Sequence, residues 1–407
     1  MIRSASLRAA LSASLVAVAL GFSAGAAAQG KGESVRPEIG KPLQAAQGLV
    51  KQRNGRAALA EVAKAEAVPN RTAYENFLIN QMKGSAASAA GDHDTAVKAF
   101  EAVLGSGRVS GRDAVTMVQA VAVAHYQKKD YASAAKWTQR YFKEGGNDPQ
   151  MRTVLLQSYY LGNDCQSVNK MLAGEEGTNR RNTEEELQIL ANCFLRQKDT
   201  AGYVNTIEKL VVHYPKKEYW TDLLSRVQKK PGFSDRLGIN VFRLKIATGN
   251  MASGNDYMEA AQLALQAGVP AEAMAIIEKG YQAGMLGKGN EAERHGRLRS
   301  LAQKQLEESK AKRAQEEQEA LAAKDGNALV NVGLNYVYEG NAQKGLSLME
   351  QGIRKGGLKR PEDAKLRLGE AQLHAGQKQK GVQTLREVRG ADGAADIARL
   401  WVLHARA

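Results

Sequence analysis

The sequence predicts an all-α chain assembled from repeated helical hairpins, and three observations carry that prediction. Small and bulky residues recur at fixed offsets: Gly333 is followed by Gly345 and Met349 just as Gly84 is followed by Ala96 and Phe100. Turn signals such as Gly340-Asn341 and Gly91-Asp92 separate the paired stretches, break the helical period and let the chain reverse. Within each stretch apolar residues recur three and four apart, the spacing that gathers them on one face of an α-helix. Small residues inside such a hairpin let its two helices approach closely.

The chain of 407 residues begins with Arg3 and Arg8 ahead of an apolar run from Leu11 to Phe22. Small residues follow, with an Ala-x-Ala site at Ala26–Ala28. A positive start, a short apolar core and that site predict a cleavable signal peptide over residues 1–28, the alternative being an ordinary buried helix. The run is too short to span a bilayer comfortably, and no cysteine follows the cut to take a lipid. A bacterial periplasm is the expected destination, with no integral membrane segment in the mature chain. Residues 29–40 carry Gly30, Gly32 and Pro37 and read as a flexible lead-in.

Net charge is +14, and removal of Arg3 and Arg8 leaves about +12. Such a balance favours anionic surfaces, or else serves solubility alone. Export argues against nucleic acid as the partner.

Residues 41–290 read as successive hairpins. Pro42–Gln52 and Arg56–Ala67 flank the turn Asn54-Gly55, and Thr72–Leu104 holds the Gly84, Ala96 and Phe100 set. Ala122, a turn at Lys129-Asp130-Tyr131, then Ala134 and Thr138 make the next unit. Asp148-Pro149 opens a further one, with its turn at Gly162-Asn163. Thr183 with Glu186 is a capping-box signature that starts the helix of Glu184–Pro215. A degenerate pair follows over 218–248, and Tyr257–Gln282 restores the pattern. Residues 291–324 differ, being rich in Glu, Lys, Arg and Gln with few large apolar residues. They read as a solvated helix pair or as an arm projecting toward a partner. Residues 325–407 return to hairpins and end in a capping helix, Ala394–Ala405 with Trp401.

The offsets recur at about 32 to 37 residues, and the pattern resembles the tetratricopeptide repeat of about 34 residues. The resemblance covers most of 41–407, although tryptophan is missing from the usual early position and proline closes only some units. It implies a right-handed α-solenoid in which the first helix of each pair lines a concave groove. That groove would hold a peptide or a helix of a partner protein. Carried over by position, Gln119, Tyr126, Tyr159, Asn192, Arg196, Tyr338 and His374 would face it. Each of these could instead be a packed core residue. The basic pairs that clamp a carboxylate terminus in chaperone-binding members are not evident.

Little in the chain suggests catalysis. Cys165 and Cys193, the two cysteines, fall on helices that the repeat register makes neighbours. In an oxidising compartment they read as a disulfide, the alternative being two small buried thiols. The six histidines are scattered without ligand spacing, so no metal site is expected. Asp92-His93-Asp94 sits at a turn where Asp caps the next helix, and Ser309-Lys310-Ala311-Lys312 lies in the charged segment without a pocket. Gly284–Gly289 lacks the Ser or Thr that a phosphate loop places after its lysine. No catalytic residue and no cofactor are expected. The favoured reading is a non-catalytic periplasmic scaffold or adaptor for protein partners in the cell envelope. The alternatives are an accessory factor for cell-wall enzymes, or a binder of anionic envelope lipid or polysaccharide.

Overall fold

The structure is a computed structural model that describes residues 33–174 and 180–406. The expected signal peptide lies outside the described residues, as do residues 29–32 of the expected lead-in. Twenty α-helices and no strand occur among the described residues. They fall into two compact units, one ending at Asp199 and one beginning at Thr200.

The N-terminal unit runs through α1 (Pro37–Lys51), α2 (Gly55–Glu66), α3 (Ala73–Ala90), α4 (His93–Gly105) and α5 (Gly111–Gln127). It continues with α6 (Tyr131–Lys143), α7 (Pro149–Leu161), α8 (Cys165–Ala173) and α9 (Glu184–Arg196). Helices pack on their chain neighbours, and α1 also meets α3 as α5 meets α7. Turn side chains start the helices. Asn54, Asp92, Asp130, Asp148 and Asp164 each accept a hydrogen bond from a backbone N–H of the helix they precede. Thr72 with Glu75, and Thr183 with Glu186, form reciprocal capping boxes. Gly84 leaves room for the Phe100 ring, which a Cβ at that position would overlap. The first helix starts at Pro37 instead of the expected Pro42, which lies inside it. Ile39, Leu43 and Ala46 are all fully buried, and that burial outweighs the backbone bond lost at Pro42.

The C-terminal unit begins with α10 (Thr200–His213), α11 (Lys217–Gln228), α12 (Gly238–Ala247), α13 (Gly254–Gln266) and α14 (Pro270–Gln282). Then come α15 (Ala292–Ala322), α16 (Asn327–Tyr338), α17 (Ala342–Lys355), α18 (Pro361–His374), α19 (Lys378–Arg386) and α20 (Ala394–His404). In the α16–α17 hairpin the backbones nearly touch: a Cβ on Gly333 would lie 2.5 Å from the Gly345 carbonyl oxygen. Only glycine fits there. The charged segment is neither a helix pair nor a projecting arm. It forms α15, one helix of 31 residues, packed on α13, α14 and α16. Its buried residues, His295, Leu298, Ala302, Arg313 and Ala320, cluster toward its two ends and leave 303–312 solvated.

That the charged segment is one helix has a consequence for phase. Before α15 the even-numbered helices are second members of their predicted pairs, and after it α16 and α18 are first members. Yet α14 packs on α16, α16 on α18 and α18 on α20, so one inner layer runs through the change. That layer closes. Helix α20 also packs on α10 and α12 near the start of the unit. Arg399 Nη2 meets Glu208 Oε2 at 2.5 Å, and Lys230 Nζ meets Asp396 Oδ2 at 2.8 Å. Arg236 binds both Asp363 oxygens at 2.8 Å and reaches Asp392. The capping helix therefore joins the end of the unit to its beginning.

Candidate functional site

The odd-numbered helices of the N-terminal unit carry polar side chains that bond from helix to helix. Gln119 Nε2 on α5 donates to Asp148 Oδ2 at 3.0 Å, and the Tyr126 hydroxyl donates to Gln157 Oε1 on α7 at 2.6 Å. Arg196 at the end of α9 lies 4.3 Å over the Tyr160 ring and donates to the Tyr160 carbonyl at 3.1 Å. Arg152 and Arg180 both reach Glu186. Side chains held this way lose little further entropy when a partner docks. Next to Tyr160 and Arg196 in the chain are two exposed leucines. Leu161 and Leu195, 44% and 46% accessible, end α7 and α9 one repeat length apart.

The C-terminal unit holds a cavity of about 560 Å³ lined from α12, α14, α16, α18 and α20, with Gly376 at the α18–α19 turn and Lys378 at the start of α19. Its floor is a bonded set of charges. Arg243 Nε and Nη2 each meet a Glu272 oxygen at 2.6 Å, and Nη1 meets Glu370 Oε2 at 2.8 Å. Asn240 Nδ2 donates to both Glu370 oxygens, at 3.0 and 2.8 Å, and the Trp401 indole donates to Oε1 at 2.8 Å. Every oxygen of the two carboxylates is thus engaged. Ile246, Ile276 and Leu373 supply apolar wall, while Ala247, Ala275, Lys279, His374, Gly376 and Lys378 are exposed and mark the mouth.

Burial and charge set the protonation states. Burial alone would lower the Arg243 guanidinium, but Glu272, Tyr338 and Glu370 outweigh it and hold it well above its usual range. Burial pushes the Glu370 carboxyl up against the pull of Arg243, Asn240 and Trp401. The Tyr338 hydroxyl is raised by burial and then by Glu272. His374 is lowered by burial and by the Lys279 charge, and His404 by burial and by the Lys378 charge. Both imidazoles are therefore neutral at neutral pH.

The seven residues placed in a groove by repeat position separate into three settings. Gln119, Tyr126, Asn192 and Arg196 lie partly or fully exposed on α5 and α9, the first two in cross-helix bonds. Tyr159 is different: it sits in the core with Leu155, Val168 and Ile189, its oxygen accepting from Gln139 Nε2 at 2.5 Å. Its neighbour Tyr160 takes the place under Arg196, because one step along a helix turns a side chain by about 100°. Tyr338 and His374 line the cavity, their rings 4.8 Å apart. Cys165 and Cys193 form a disulfide with Cα atoms 5.2 Å apart, joining α8 to α9. Among the described residues no three His, Cys, Asp or Glu side chains gather as a metal-binding group.

Sequence reasoning picked out Tyr338 and His374 of the lining but missed the charged floor and the lysines of the mouth. The signal was present in Val241-Phe-Arg-Leu244 and Leu368-Gly-Glu-Ala371, where single charges interrupt buried helix faces. A lone charge at a core position requires a partner, but nothing local says that Arg243 and Glu370 find each other across more than a hundred residues.

Residues 82–149, in the N-terminal unit, match one tetratricopeptide repeat family model, and residues 363–391, in the C-terminal unit, match another. No curated protein matches by sequence. A solved structure titled "Structure of Naa15/Naa10 bound to HypK-THB" is similar, with a TM-score of 0.40 and 16% identity over 86% of this chain and 58% of that one. This chain thus spans less than two thirds of the length of that protein chain.

Proposed function

From the premise that this chain is a tetratricopeptide-repeat protein with matches in both units, we propose that it is a periplasmic scaffold holding a partner protein in the cell envelope. The observation that carries the reading is the bonded face of α5, α7 and α9, with Leu161 and Leu195 exposed beside Arg196. An interface of this kind combines apolar anchors with an arginine stacked on an aromatic ring, and its order costs little on binding. The periplasmic part is supported by the signal-peptide pattern at the N-terminus and by the Cys165–Cys193 disulfide, a bond that persists in oxidising compartments. No helix among the described residues is long and apolar enough to cross a membrane.

A photo-reactive residue at position 161 or 195, activated in intact cells, tests this directly. The expected result is a discrete protein adduct that persists in high salt and is lost in Leu195→Asp. Recovery of only lipid or polysaccharide, released by salt, would replace the scaffold with charge-driven surface binding. Fractionation with N-terminal sequencing tests the compartment, and the mature chain is expected in the periplasm starting at Gln29.

A further inference from the structure

We propose that the cavity of the C-terminal unit is a binding site for a small amphiphilic anion, a carboxylate carried on an apolar body. The site is separate from the partner-binding face on α5, α7 and α9 and does not depend on it.

The volume comes first. About 560 Å³ falls in the range of small-molecule sites, and the walls of Ile246, Ile276 and Leu373 favour an apolar body. The floor gives that body no polar competitor, since Arg243, Glu272 and Glu370 already saturate one another. A charged headgroup is therefore directed to the mouth. There Lys279 and Lys378 are exposed, and among the described residues neither has an ion-pair partner. Their fields reach into the mouth, since Lys279 depresses His374 and Lys378 depresses His404. Two free ammonium groups and two neutral imidazoles around an apolar well favour a negative headgroup over a positive one. The carboxylates of the lining, Glu272 and Glu370, lie buried and are offset by Arg243, and the half-buried Arg367 is lowered by burial and then by the Arg243 charge.

The test is calorimetric titration of the full chain with sodium decanoate, and with decyltrimethylammonium as the same tail under the opposite charge. Decanoate is expected to bind with one-to-one stoichiometry and the cation at least about tenfold more weakly. Reversal of the mouth in K279E/K378E, at two exposed positions, is expected to cost decanoate tenfold or more while leaving the circular dichroism unchanged. Ala275→Trp, which fills the well from its exposed edge, is expected to abolish binding. No decanoate binding, equal binding of the cation, or indifference to both variants would overturn the proposal. So would displacement of decanoate by an acidic peptide at lower concentration, which would make the cavity a peptide site.

Discussion

In the N-terminal unit helices pack on their neighbours along the chain, whereas in the C-terminal unit α20 returns to α10 and α12. The same hairpin unit thus yields an open stack in one case and a closed one in the other. What differs is where charge is placed. The N-terminal stack joins charges from one repeat to the next, as in Arg152 on α7 with Glu186 on α9, and at its start pairs Arg36 with the buried Glu75. The C-terminal unit buries Arg243, Glu272 and Glu370 and joins residues far apart in sequence with them. Pairs within and between nearby repeats accompany the open array, and pairs 127 and 191 residues apart accompany the closure.

The largest expected effect falls on that closure. Arg243→Ala leaves two carboxylates buried without their cation, and about 3–5 kcal/mol of stability should be lost. The loss should be confined to the C-terminal unit, so hydrogen exchange read helix by helix should accelerate from α12 to α20 and not in α3 to α7. Next comes the staple of the N-terminal unit. The Cys165–Cys193 bond closes a separation of 28 residues, and C165A/C193A should cost about 2–4 kcal/mol there alone, read as a shift in urea midpoint. A smaller contrast concerns the glycines. A Cβ on Gly345 would lie 2.7 Å from the Val337 backbone nitrogen and press on the Gly333 carbonyl, which cannot turn away. Gly345→Ala should cost about 1–3 kcal/mol, and Gly84→Ala less, because there the obstacle is the Phe100 side chain.

The smallest effect is a pH dependence in the N-terminal unit. Hydrogen bonding from Arg36, then from the Thr72 backbone, holds the Glu75 carboxyl at about 2 in place of 4.5. Because the folded value is the lower one, the stabilisation is complete above about pH 4.5 and is lost as pH falls toward about 2. Glu75→Gln should flatten the stability profile of that unit across this window, measured by chemical denaturation at successive pH values.

Much of this architecture was legible in the sequence because it is local. Turn signals, caps such as Thr183 with Glu186, and the Gly333–Gly345 spacing act within a hairpin, and all of them appear where the pattern put them. The length of α15 was not legible, since a charged segment without breakers is compatible with one helix or two. That ambiguity hid the phase change and with it the inner layer of the C-terminal unit. The candidate sites follow the same division. Repeat position places Gln119, Tyr126 and Arg196 on helix surfaces that are partly or fully exposed, whereas Arg243 and Glu370 become partners only when the unit closes. Tyr159 takes the other setting open to each of these residues, a packed core position.

The most direct test of the closed C-terminal unit is native-state hydrogen exchange of α20. In an open array a terminal helix frays first and exchanges well ahead of interior helices. Closure through Arg399, Arg236 and Trp401 predicts that α20 amides are protected as strongly as those of α16 and α18. Exchange of α20 many times faster than α18 would contradict it and return the last helix to the role of a simple cap.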